Sequence, residues 1–160
     1  MNSTTSSVAS ADLQSPTKQK LPASQNLSET ITLLAIDPNQ EDFHSLLRIL
    51  GTDGWNIRGA SSLREATTLM NESLPDLILC EKDLSDGTWK DVFREAERLR
   101  RHTRFVVVSR HADERLWAEV LNLGAFDMIL KPFDSTEILR MARWACHRDF
   151  PEQAAAASAA

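Results

Sequence analysis

Five times between Ile31 and Arg148 a short apolar, strand-like run gives way to a helix-like stretch. Strands alternating with helices of about 10–15 residues imply right-handed crossovers and a parallel sheet. The strand runs are Ile31–Ile36, Trp55–Gly59, Leu77–Cys80, Arg104–Ser109 and Phe126–Leu130. The first helix carries Phe43, Leu46, Leu47 and Leu50 at helical spacing, with Gly51 as its stop. Ser61 or Ser62 caps a second helix with Leu63, Ala66 and Met70 inward; Thr88 caps a third with Trp89, Val92, Phe93 and Ala96. The fourth, Ala112–Leu123, presents Leu116, Val120 and Leu123 and stops at Gly124. The last, from Ser135 to Arg148, presents Ile138, Met141, Ala142 and Ala145, with Asp134 or Ser135 as its cap. This pattern predicts a flavodoxin-like (βα)5 three-layer α/β sandwich whose parallel sheet has the order 2-1-3-4-5.

In such a sheet chemistry gathers beyond the carboxyl ends of the strands, at the switch point between the first and third. The third strand runs straight into Glu81 and Asp83 and then an Asp-Gly turn at Asp86 and Gly87. At the other strand ends stand Asp37, Ser109 and Lys131. The strand order makes Asp37 and Glu81 neighbours.

Two acids, a hydroxyl and a lysine at these positions resemble the receiver domain of bacterial two-component response regulators, over residues 31–148. Leu-Gly-Ala-Phe-Asp-Met-Ile-Leu-Lys-Pro-Phe at 123–133 is similar to the family's Gly-Ala-Asp-Asp-Tyr-Leu-x-Lys-Pro-Phe. Pro-Asp-Leu-Ile-Leu at 75–79 and Asp-Gly at 86–87 add to it. The resemblance implies a phosphoacceptor at the end of the third strand, charged by a histidine kinase. It also implies Mg²⁺ held by acids after the first strand, where the ion neutralises phosphoryl oxygens. Ser109 and Lys131 then occupy the phosphate-binding positions, and the Lys-Pro bond is typically cis.

The chain departs from that pattern at the positions that matter most. The phosphoacceptor position falls on Glu81, whose carboxylate lies one methylene further out. A displacement of ~1 Å from in-line placement costs on the order of 100-fold in rate. Asp37 is followed by Pro38, so one carboxylate of the usual acid pair is absent there, which weakens a Mg²⁺ site. Arg110 stands where a small residue often follows the hydroxyl, and Met128 occupies the aromatic switch position. The loop from Glu81 to Gly87 is about two residues shorter than the family's. Asp83 is an alternative acceptor, and Asp37, Glu81 and Asp83 form the one remodelled acidic site through which Mg²⁺ enters as a cofactor. Glu81 with Lys131 reads either as a built-in mimic of the phosphorylated state or as a relic ion pair. Ser109 reads either as part of the site or as a partner for a loop amide.

Composition closes off other classes. A net charge of −5 without a basic stripe excludes a general nucleic-acid binder. No apolar run approaches the ~18 residues of a membrane span, and no signal peptide opens the chain. Cys80 and Cys146 lack CxxC spacing and read as buried thiols of a reducing, cytoplasmic setting. His44, His102, His111 and His147 have no metal-ligand spacing. Residues 1–29 read as a disordered tail, 30–150 as the receiver-like domain and 151–160 as an Ala-rich tail.

The resulting expectation is a stand-alone atypical receiver with an inactive phosphoacceptor site. It is no enzyme, and it acts by contact with a histidine kinase or a downstream effector. Trp117 and Trp144 mark an interface, which the resemblance places on the fourth helix–fifth strand–fifth helix face used for homodimers. The rivals are a working phosphorelay receiver phosphorylated on Glu81 or Asp83, and a small flavodoxin-like enzyme or nucleotide binder. The latter wants a Gly-rich phosphate loop, which Asp37-Pro38-Asn39-Gln40 does not offer.

Overall fold

Strands made almost wholly of aliphatic residues demand cover on both faces, and the fold supplies it. A computed structural model describes residues 30–51, 54–99, 102–111 and 113–146. Both segments read as tails lie outside the described residues, as do His147 and Arg148 of the last helix. The central sheet comprises β1 (Ile31–Ile36), β2 (Trp55–Ala60), β3 (Leu77–Glu81), β6 (Arg104–Ser109) and β7 (Asp127–Leu130). All pairings are parallel, in the order β2-β1-β3-β6-β7. Two short strands, β4 (Asp83–Leu84) and β5 (Gly87–Thr88), form a separate antiparallel ribbon after β3. Leaving that ribbon aside, the order is the expected 2-1-3-4-5.

Strand parity divides the core into two layers. Leu33, Leu77, Leu79, Val106, Val108 and Ile129 meet α1 (Gln40–Leu50) and α5 (Ser135–Cys146) through Leu46, Leu50, Ile138 and Met141. The alternate residues Leu34, Ile36, Ile78, Cys80, Val107 and Met128 face α2 (Leu63–Glu72), α3 (Trp89–Arg98) and α4 (Glu114–Asn122). Trp89 is the largest fully buried side chain of that second layer, packed among Phe93 and Phe105.

The helices begin where polar side chains satisfy their free amides. Asn39 accepts from the Glu41 amide at 2.9 Å, Ser62 from Glu65 at 3.2 Å, and Asp113 from Leu116 at 2.6 Å. Thr88 and Asp91 form a capping box on α3, and Asp134 accepts from the Glu137 amide at 2.9 Å. Caps of this kind contribute about 1 kcal/mol each.

Several local expectations change: β2 runs one residue further, to Ala60, β7 begins at Asp127 rather than Phe126, and α4 begins at Glu114. β3 extends one residue to include Glu81, which pairs with Val108. Leu123 lies beyond the end of α4 and is half exposed rather than inward, because the chain turns at Gly124, whose φ is +95°. The Asp-Gly turn belongs to the β4–β5 ribbon, and it does more than reverse the chain. Asp86 Oδ1 accepts from the Leu63 amide at 2.7 Å and Oδ2 from the Arg64 amide at 3.0 Å, so the ribbon is clipped onto the start of α2. A Cβ at Gly87 would come within 2.9 Å of the Leu63 side chain and 3.0 Å of the Asp91 carboxylate, so a larger residue there would push those side-chain ends aside.

The Arg64 and Leu63 amides hold the Asp86 carboxyl below the usual carboxylate range, against a small opposing effect of burial. A depressed carboxylate stabilises the fold above its unfolded-state pKa, and that contribution disappears as pH falls through the folded-state value. Asp86→Ala is therefore expected to lower the melting temperature near neutral pH. Thermal melts taken down an acid series should show the gap between the two proteins closing below the ordinary carboxylate range. A gap independent of pH would refute the clip.

Candidate functional site

Parallel pairing in register brings the carboxyl ends of β1, β3, β6 and β7 to one edge. Asp37 follows β1 directly, held by its amide on the Ala60 carbonyl at 2.9 Å. Its Oδ1 accepts from the Asn39 amide at 2.8 Å, which aims the carboxylate at the mouth of the sheet. Glu81 ends β3, and its Oε1 accepts from the Lys82 amide at 3.1 Å. Lys131 follows β7, its amide on the Ser109 carbonyl at 2.9 Å, and the Lys131–Pro132 bond is cis.

The Lys131 ammonium lies 2.5 Å from Asp37 Oδ2, 2.5 Å from Glu81 Oε2 and 2.9 Å from Asp42 Oδ2. An ammonium has three donors, and three carboxylates from three elements take them. The Lys131 side chain is 2% exposed, Asp37 8%, and Asp42 and Glu81 15% each, so this is a largely dry cluster. Burial alone would push the Lys131 ammonium down, but its hydrogen bonds to Asp37, Glu81 and Asp42 outweigh that and hold it above its ordinary value. Arg110 Nη2 adds a second cation at 2.7 Å from Asp42 Oδ2. Among the described residues no buried side-chain nitrogen or oxygen lacks a hydrogen-bond partner.

Asp42 is the residue that sequence reasoning passes over. It lies in the first turn of α1, where an acid is ordinary because it favours the helix dipole. Its place beside Phe43, on the edge of the apolar stripe, is the one sequence signal that it turns toward the sheet. Asp42 thus supplies a third carboxylate, from the helix, to a pocket whose strand end offers only Asp37 before Pro38.

The other candidates distribute as follows. The Ser109 hydroxyl donates to the His111 carbonyl at 2.9 Å and accepts from the His111 amide at 3.2 Å, serving the loop. Asp83 lies on β4 with its side chain 69% exposed, bonded to Lys82 at 3.0 Å, and does not join Asp37 and Glu81. Met128 is buried in the layer of α2, α3 and α4. Trp117 is half exposed on α4; Trp144, nearly as exposed on α5, stacks edge-on against Phe126 at 5.6 Å. Cys80 is fully buried, and burial first, then Glu81 and Asp37, push its thiol well up, so it stays protonated. His44, His102 and His111 are exposed.

The residues present do not fit a Mg²⁺ ion as arranged. The ammonium already occupies the point where Asp37, Asp42 and Glu81 converge. The crevice among Asp37, Asp42, Phe43, Glu81 and Phe133 holds about 10 Å³, at the limit for a single water. Among the described residues no group of three His, Cys, Asp or Glu side chains has a metal-holding arrangement.

The fold and site define a class: a doubly covered parallel α/β sheet that gathers acids and a lysine at the carboxyl ends of its strands. A sequence model of the response regulator receiver domain matches residues 33–143, and the chain belongs to that family. It is 27% identical over 108 residues to the acid tolerance regulatory protein ActR of Rhizobium meliloti (strain 1021), covering 68% of this chain and 56% of ActR. It is 24% identical over 106 residues to the transcriptional regulatory protein ZraR of Escherichia coli (strain K12), covering 66% of this chain and 24% of ZraR. The match therefore spans about half of one relative and a quarter of the other. Among solved structures, a response regulator from Thermotoga maritima superposes with a TM-score of 0.66 at 26% identity, covering 72% of this chain and 97% of that one. The receiver domain of a LuxO repressor protein from Vibrio parahaemolyticus gives 0.69 at 17% identity, covering 72% and 88%, a likeness of fold alone. No described helix is long and apolar enough to cross a membrane.

Removing one partner from a buried charge cluster leaves the others uncompensated, at a cost of about 3–5 kcal/mol. Lys131→Ala is expected to lose that much in urea unfolding near neutral pH. Because the folded-state pKa is raised, the lysine's contribution is complete below the unfolded-state value and is lost as pH rises through the folded one. Unfolding free energies of the two proteins should therefore converge only in strong alkali. Convergence already near neutral pH would count against a charged Lys131.

Proposed function

We propose that this chain is an atypical receiver that signals by protein–protein contact, with a pocket held in one state rather than cycled by Mg²⁺-dependent phosphorylation. The observation that carries this reading is the Lys131 ammonium bonded at once to Glu81, Asp37 and Asp42. Phosphoryl transfer depends on positioning and on neutralising the phosphoryl oxygens. Here the acceptor-position carboxylate is engaged by the lysine, Lys131 and Arg110 balance two of the three acid charges without a metal, and the crevice beside them holds only about 10 Å³. The Glu81–Lys131 bond makes Glu81 a fixed anion where receivers gain a transient one. Such a protein is not an enzyme; its output is the surface that a histidine kinase or effector meets.

The test is incubation with a small phosphoryl donor and Mg²⁺, read by intact mass. No adduct is expected. A stoichiometric adduct that vanishes in Glu81→Gln would overturn the reading, and one that vanishes in Asp83→Asn would move the acceptor to β4.

The contact surface falls on α4, β7 and α5. Trp117 and Leu121 lie one turn apart on the outer side of α4, and Leu130 is exposed at the end of β7. Glu114 on α4 and Arg140 and Arg143 on α5 are exposed with opposite charge, which suits a second copy of the same face. Trp117→Glu is expected to abolish self-association in sedimentation equilibrium while leaving the fold intact; an unchanged mass distribution removes α4 from the interface.

A further inference from the structure

Arg110, the second cation on Asp42, is the residue that crosses the pocket. It follows β6, whereas Asp42 lies on α1, 68 residues away in the chain. Its guanidinium reaches Asp42 Oδ2 at 2.7 Å, and the Lys131 ammonium reaches that same oxygen at 2.9 Å. One carboxylate oxygen is therefore shared between two cations of opposite exposure: the Arg110 side chain is 50% exposed and that of Lys131 2%. Lys131 is the inner cation and Arg110 the outer one. The loop carrying Arg110 is itself braced, because the Ser109 hydroxyl both donates to and accepts from the backbone of His111.

We infer that Arg110 is a strap across the mouth of the pocket. By tying the loop after β6 to α1 it holds Asp42 against Lys131 and bars small solutes, such as a phosphoryl donor or a hydrated divalent cation, from the inner acids. The inference rests on the reading of the pocket as closed, and adds the residue that controls access to it. Three cluster charges are negative and two positive, so the strap halves the pocket's excess negative charge and weakens its pull on a further cation. A lysine in place of Arg110 keeps a charge for Asp42 but loses the planar fork that holds the oxygen in a set direction.

Acylation with an amine-directed N-hydroxysuccinimide ester at several alkaline pH values, followed by peptide mass spectrometry, separates access to Lys131 from the fraction of it held as ammonium. Lys82 and Lys90, on other surfaces, are internal references. Arg110→Ala is expected to raise the rate at Lys131 relative to those two by about two- to fivefold, the range for losing a half-exposed ion pair. Arg110→Lys should fall between it and the native protein. Equal relative rates in all three, with melting temperatures unchanged, would overturn the strap. So would a rise in Arg110→Ala matched by global loss of folding in both variants. Incubating the same samples with phosphoryl donor and Mg²⁺ separates the two claims. An adduct on native Glu81 defeats the closed-pocket reading, whereas no adduct together with equal acylation defeats the strap alone.

Discussion

A lysine ammonium sealed beneath the end of a sheet has to be matched by negative charge, and this requirement organises the site. Taking an ion out of water costs several kcal/mol even after relaxation, so Lys131 is tolerable only because Asp37, Asp42 and Glu81 converge on it. Those acids come from the end of β1, the first turn of α1 and the end of β3, while the lysine follows β7. One charged group thereby ties four separate parts of the chain together where the strands themselves stop. Apolar packing of equal volume would be as stable or more so. In the arrangement formed, each of the three ammonium donors has a carboxylate partner.

The fold was legible because each of its parts announces itself locally. Runs such as Leu77–Cys80 and Phe105–Val108 are apolar at every position, which only a strand covered on both faces tolerates. Thr88, one of the serines at 61 and 62, and Asp134 or Ser135 mark where the helical periodicity begins, and the caps are Thr88, Ser62 and Asp134. The β4–β5 ribbon was not legible, because two-residue strands have no periodicity to read. Leu123 misled for a related reason: it continues the α4 spacing past the point where Gly124 ends the helix.

The pocket was half legible. Residues that end strands are placed by sheet topology, so Asp37, Glu81 and Lys131 fell together as the strand order requires. Asp42 and Arg110 were beyond such reasoning, since a helix-borne acid and a loop-borne arginine meet only through tertiary geometry. Arg110 stood out as a large residue in a small residue's place, but nothing in its neighbourhood names a partner 68 positions away. The two apolar layers fill both sides of the sheet, and the polar cluster stands on them at the carboxyl ends of the strands.

Met128 lies on β7, the strand that Lys131 follows, and its side chain points into the layer beneath α4. A thioether is flexible and polarisable but has no hydroxyl to exchange between a charged site and solvent. Any communication along β7 between the ion cluster and the outer face of α4 must therefore be carried by volume and fit.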